Sequence, residues 1–174
     1  MVRVKQSKPF LAFLIFPILT AAILAGCTPS APSATSPESN LAGAQQTLLD
    51  YLALLHEKKY EQAAQYTADD PDFWQGLRDN NPSVDPNDRA GLLKNACELQ
   101  GVCLEVRSLV SAQQVTEDEF LFAVEFSNPD GTLFVRGPCC GGNATDFPPE
   151  SQFSFRVMKV DGAFVIYGGP IYVP

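Results

Sequence analysis

The sequence predicts an α+β domain in which helices come first and an antiparallel sheet follows. In the first half of the chain, apolar residues recur at steps of three and four, the spacing of a helix with one buried face. From Val102 onwards the period changes to two, the spacing of strands with one buried face. Asp161-Gly162 stands between two such runs and is typical of a hairpin turn. Helices followed by antiparallel strands define the α+β class.

The first helix is predicted from about Pro37 to His56. Ser36 supplies a hydroxyl cap, Pro37 suits the first helical position, and Glu38 places an acid in the first turn. The apolar face of this helix consists of Leu41, Ala44, Leu48, Tyr51, Leu52 and Leu55. A shorter helix is predicted over residues 60–66, after a break at "EKK".

Two further helix starts are predicted at Asp-Pro pairs, one at Asp70-Pro71 and one at Asp85-Pro86. The strands follow, and the face that should contact the helix carries Phe120, Phe122, Val124, Phe126, Phe153 and Phe155. Glu105, Glu125 and Arg156 fall on the opposite phase, which predicts that they lie on the solvated face of the sheet.

The N-terminus predicts export. Three cationic residues and no acid precede the apolar run "FLAFLIFPILTAAILAG", as in a secretory signal peptide. Leu24-Ala25-Gly26-Cys27 resembles the lipobox of bacterial lipoproteins, which implies diacylglyceryl transfer to Cys27 and cleavage between Gly26 and Cys27. The Pro-, Ser-, Thr- and Ala-rich residues that follow read as a solvated tether. We therefore divide the chain into a signal peptide (1–26), a lipidated tether (27–39) and one α+β domain (40–174).

The net charge of the mature chain limits the kinds of partner that it can bind. The whole sequence has 12 Lys and Arg and 20 Asp and Glu, and three of the cations lie before Cys27, so the mature charge is 9 − 20 = −11. Such a chain should be repelled by nucleic acid and by anionic lipid headgroups. Acyl chains on Cys27, rather than the protein surface, would then hold it on the outer side of the cell membrane.

Two segments carry a resemblance that refines the fold. They are "LLDYLALLHEKKYEQAAQYTADD", at the end of the first helix, and "FSFRVMKVDGAFVIY", the final hairpin. The region from Leu41 to Tyr167 resembles the NTF2-like (cystatin-like) superfamily, in particular its small extracytoplasmic lipoproteins. The resemblance implies N-terminal helices packed on a curved antiparallel sheet, with a cone between helix and sheet that often holds a pocket.

Four cysteines remain in an exported chain once Cys27 is lipidated, and an even number favours disulfides. Cys97 and Cys103 are separated by "ELQGV", whose glycine permits a turn, and their pairing is favoured. Cys139 and Cys140 would then form a vicinal pair or stay partly reduced, and two crossed pairings are the alternatives. The spacings between these cysteines disfavour a zinc site. A redox activity of the adjacent pair, Cys139-Cys140, is a further alternative.

Other candidate sites have simpler interpretations. The acidic loop "DNNPSVDPNDRAG" lacks the glycine and glutamate of a calcium loop, because Val84 and Ala90 stand in those places. His56 is the only histidine, which excludes arrangements that need two and favours packing at a helix end. No catalytic residue and no cofactor is assigned.

The function predicted from these observations is binding. The aromatic face, the tether and the lack of a catalytic set suggest an envelope domain that binds a small apolar ligand or a protein partner. The alternative is an isomerase or cyclase like other NTF2-like proteins, which would need an acid or base within the cone. A pocket smaller than about 300 Å³ would instead indicate that the aromatic residues are a filled core.

Overall fold

The long first helix lies across one face of a four-stranded antiparallel sheet. A computed structural model describes residues 37–137, 143, 145 and 148–172. The predicted signal segment, the Gly26-Cys27 cleavage site and the Cys139-Cys140 pair lie outside these residues. The described residues belong to one compact unit. Their helix-then-sheet order confirms the α+β class.

The helical part consists of four α-helices and two short turns. Helix α1 spans Pro37–His56, as predicted, and the predicted face from Ala44 to Leu55 is buried. The remaining elements are α2 (Tyr60–Ala63) with a 3₁₀ turn (Ala64–Tyr66), α3 (Pro71–Asn80), and α4 (Arg89–Asn95) with a π-helical turn (Ala96–Gln100).

The two Asp-Pro predictions have different outcomes. Asp70 caps α3, because its carboxylate accepts hydrogen bonds from the backbone N–H groups of Asp72 and Phe73 at 3.1 and 3.2 Å. The predicted start at Asp85-Pro86 is wrong. Asp88 caps α4 instead and accepts from the N–H of Gly91 at 2.9 Å, while Asp85 accepts from the N–H of Asn87 within the preceding turn.

The main sheet has the strand order β2-β3-β4-β5. Its strands are β2 (Glu105–Gln114), β3 (Glu119–Ser127), β4 (Phe153–Val160) and β5 (Ala163–Tyr167). A second, two-stranded sheet pairs β1 (Gly101–Val102) with β6 (Ile171–Tyr172). Asp161 and Gly162 both have positive φ, at 50° and 84°, as a two-residue hairpin of the predicted kind requires.

Strand β2 pairs irregularly with β3. Its register against β3 shifts twice, between Val106 and Ser108 and between Leu109 and Ser111. Such bulges bend a strand and increase its twist. Helix α1 contacts all four strands of the sheet.

The two faces of the sheet divide as the alternation predicts. All six side chains of the predicted inner face are buried, from Phe120 on β3 to Phe155 on β4. On the outer face, Glu105 and Arg156 are exposed and Glu125 is half-buried. No helix within residues 37–172 that the structure describes is long and apolar enough to cross a bilayer.

Candidate functional site

The space between α1 and the sheet is filled by side chains. The aromatic rings of Phe126 and Phe155 meet edge to face with centroids 6.1 Å apart, and Phe120 meets Phe164 at 5.6 Å. The cavity left there measures about 10 Å³, and its lining comprises Leu52, Leu55, Cys103, Leu104, Phe126, Phe155 and Pro170. This is roughly the space of one water molecule, whereas ligand pockets take about 300 Å³ or more. The described interior is therefore a packed core at this place.

Among the residues that the structure describes, one buried side-chain polar group lacks a hydrogen-bond partner. The Tyr51 hydroxyl is completely buried and makes no hydrogen bond within the described part of the chain. Burial raises the pKa of Tyr51 far above its usual value, so this phenol keeps its proton. The other buried polar side chains of the described residues are Asn40, Thr67 and Asn81, and no carboxylate is among them.

Replacing Tyr51 by phenylalanine should therefore stabilise the protein, by about 1 kcal/mol, because a buried hydroxyl without a partner is unfavourable. The gain should grow as the pH rises above about 10, where the unfolded tyrosine ionises and the folded one does not. Urea unfolding of both proteins at pH 7 and at high alkaline pH measures this. A less stable phenylalanine variant would mean that the hydroxyl has a partner in the folded protein.

A second site lies at the C-terminal end of α1. The backbone N–H of Lys58 donates to the carbonyl of Leu55 at 3.1 Å, and that of Lys59 donates to the carbonyl of Leu54 at 2.8 Å. This pair of bonds is the Schellman motif, which places Lys58 in the left-handed region with φ 60°. Glycine usually occupies that position because it lacks a Cβ.

A disulfide joins this end of the helical layer to the sheet. Cys97, in the π-helical turn, bonds to Cys103, between β1 and β2, with the Cα atoms 5.2 Å apart. This is the pairing that the sequence analysis favours. His56 lies beside it, with its Nδ1 3.2 Å from the carbonyl oxygen of Cys103. Because a carbonyl only accepts, Nδ1 must donate the hydrogen, which leaves Nε2 on the open side of the ring.

The opposite wall contains an aromatic and an acid. The Tyr60 hydroxyl donates to Oε1 of Glu98 at 3.3 Å. Burial raises the pKa of Tyr60, and the adjacent Glu98 charge raises it further. The side chains of Tyr60 and Cys97 are largely covered, whereas Glu98 is exposed.

These groups surround one open cleft of about 370 Å³, which we call the α1-end cleft. Its lining comprises Leu55, His56, Lys58, Tyr60, Cys97, Glu98 and Cys103. His56 and the two cysteines are separate candidates in the sequence, and the structure brings them together. The sequence does not predict that Lys58, Tyr60 and Glu98 belong to the same site. The "EKK" break marks the helix end, but a lysine in a left-handed position gives no signal in the sequence.

The acidic loop and the cysteines form no metal site that the structure describes. No group of three or more His, Cys, Asp or Glu suited to a metal ion occurs in residues 37–137, 143, 145 and 148–172. In the acidic loop, Asp85 and Asp88 accept backbone hydrogen bonds, and Asp79 accepts from the side chain of Gln75 at 2.6 Å. These carboxylates serve turns and helix ends.

Comparison with known proteins defines no family for this chain. No protein-family model matches it, and no curated protein matches it either. Fold and site alone therefore define the class, an α+β domain with a packed core and an open polar cleft at one helix end.

Proposed function

We propose that the chain is a lipid-anchored protein of the outer side of the cell membrane whose NTF2-like domain binds its ligand or partner at the surface. The observation that carries this proposal is the filled interior. The cavity described between α1 and the sheet holds about 10 Å³, too little for a bound molecule, so among the described residues the surface is the better place for a ligand. Of the two predicted binding partners, a small apolar ligand and a protein, the described interior therefore favours the protein.

The NTF2-like assignment has support from the arrangement of α1 and the sheet. A long helix contacts all four strands of an antiparallel sheet, and β2 carries bulges of the kind that bend a strand. The helix precedes all four strands, and the last two form a tight hairpin. Within the described residues, the cavity between α1 and the sheet is too small for the ligands that NTF2-like proteins often hold there.

The anchor rests on the N-terminal sequence. Each buried methylene contributes about 0.8 kcal/mol, so two or more acyl chains on Cys27 would hold the chain durably on a bilayer. The tether would then separate the membrane from a domain that anionic headgroups repel.

Replacing Cys27 by serine tests the anchor. The Cys27→Ser protein should incorporate no labelled palmitate and should appear as unprocessed precursor or as soluble protein after fractionation. Thr28→Ser is the matched control, because it changes the next residue conservatively and should leave labelling and membrane association intact. A Cys27→Ser protein that is still processed and still in the membrane fraction would refute the lipoprotein assignment.

The enzymatic alternative finds less support in the interior. An NTF2-like isomerase or cyclase needs a base in the cone, and the cavity lining described there is apolar. Tyr51 is buried nearby in the core, but its raised pKa keeps it protonated and no buried carboxylate accompanies it among the described residues. The described interior therefore supports the binding function better than this kind of catalysis, because it supplies no base.

A further inference from the structure

We propose that the α1-end cleft binds a small molecule that carries both a carboxylate and an ammonium group, such as a free amino acid or a whole dipeptide. This inference rests on the surface-binding function proposed above and names its site and ligand class. It follows from a strained lysine, the charges around the cleft and the volume between them.

Lys58 occupies a backbone position where a lysine is unfavourable. Its φ of 60° is in the left-handed region, which favours glycine. Residues in such conformations gather at functional sites, where the strain is retained for the sake of the side chain. Lys58 is among the residues that line the α1-end cleft. The helix end thus carries a lysine beside the cleft at a position where glycine would be less strained.

The Lys58 ammonium has no partner in the part of the chain that the structure describes. The neighbouring Lys59 forms an ion pair with Glu57 at 2.6 Å, whereas Lys58 forms none with a described residue. His56 lines the same cleft, and because its Nδ1 donates to the carbonyl of Cys103, Nε2 of the neutral ring is a hydrogen-bond acceptor. The cleft thus offers the Lys58 ammonium to a carboxylate, whereas Nε2 suits a donor such as an ammonium group.

Glu98 gives the cleft a fixed negative charge. Its Oε1 accepts from Tyr60, which positions the carboxylate and leaves Oε2 for a ligand. Leu55 and the Cys97–Cys103 disulfide supply apolar surface in the same lining. A ligand with only a carboxylate would be repelled by Glu98, and one with only an ammonium by Lys58. A ligand with both charges complements both, and about 370 Å³ suits a molecule of amino-acid size.

The test is calorimetric titration of the full chain, purified in a nonionic detergent. The ligand series is glycine, β-alanine, γ-aminobutyrate, dialanine and ε-aminocaproate, in which the distance between the two charges increases. At least one member should bind saturably, and propionate and propylamine should not. Tighter binding of the single amino acids identifies a free amino acid as the source, and tighter binding of dialanine identifies a dipeptide. If no member saturates, the proposal is wrong.

Lys58 variants separate binding from folding. Lys58→Ala should lower the affinity for the tightest-binding ligand at least tenfold, whereas the matched control Lys59→Ala should bind that ligand with unchanged affinity. Lys58→Gly should also weaken binding, and yet raise the midpoint of thermal unfolding by about 2 to 4 °C, because glycine relieves the backbone strain. A stable Lys58→Gly protein with unchanged affinity would overturn the proposal.

A variant of Glu98 tests the role of the negative charge in the α1-end cleft. Glu98→Gln keeps the shape of the side chain and removes its charge, so it should lower the affinity for the tightest-binding ligand about tenfold. Glu61→Gln, on the exposed surface of α2, is its control. Failure of these binding results would leave the membrane fractionation of Cys27→Ser untouched, so the two proposals fail separately.

Discussion

Replacing Phe122 by alanine is expected to lower the free energy of unfolding by about 3 to 5 kcal/mol, the range for large buried aromatic residues. Phe122 is 2% exposed and lies on the central strand β3, opposite Phe155 of β4. Because Phe122 is packed among buried side chains, its removal leaves a cavity that the neighbouring side chains cannot fill without moving. Domains of this size are stable by about 5 to 15 kcal/mol, so the loss is a large fraction.

Leu121→Ala is the matched control for Phe122→Ala. It changes the next residue of the same strand, but its side chain points to the outer face and is 39% exposed. Its loss should stay below about 1 kcal/mol. Urea unfolding followed by circular dichroism measures both variants. Equal losses would show that the two faces of β3 are not divided into a buried and an exposed face. The description of the space between α1 and the sheet as a packed core would then be wrong.

The sequence predicts the elements whose signals are local and repeated. Helix α1 has a proline at its first position and an apolar residue at every third or fourth place over about four turns, and its predicted bounds agree with the structure. The inner face of the sheet is equally predictable, because strict alternation allows one assignment of each side chain to a face.

The start of α4 is harder to predict, because two aspartates compete for the same role. Asp85 and Asp88 are three residues apart, and each is a good cap by composition. The choice depends on tertiary packing, since Leu92 and Leu93 must both become buried. A helix that begins at Arg89 places them in the core, and Asp85 is left to the turn before it.

The candidate site depends on information that residue patterns do not contain. An apolar stripe predicts which face is buried, but the same stripe could line an open cone or fill a core. Only the packing of rings such as Phe126 against Phe155 distinguishes the two. The α1-end cleft is likewise invisible locally, because Lys58 and Glu98 are 40 positions apart in the sequence.

Removal of the Cys97–Cys103 disulfide has the second large effect. The Cys97→Ala/Cys103→Ala double variant should lose about 2 to 3 kcal/mol of unfolding free energy, because the open chain gains conformational entropy when it unfolds. The disulfide closes a loop with a sequence separation of 6 and joins the π-helical turn after α4 to the segment between β1 and β2. Guanidinium unfolding of the oxidised protein and the double variant gives the difference.

Reductant provides the control that assigns this loss to one bond. The oxidised protein should lose about the same 2 to 3 kcal/mol on full reduction, whereas the double variant can respond only through its remaining cysteines. If reductant destabilises both proteins equally, the stabilising bond involves Cys139 or Cys140 and the pairing described is wrong. Because both cysteines also line the α1-end cleft, the double variant should also have a lower affinity for the ligand of that cleft. Stability and binding would then fall together here, in contrast to Lys58→Gly, where they move in opposite directions.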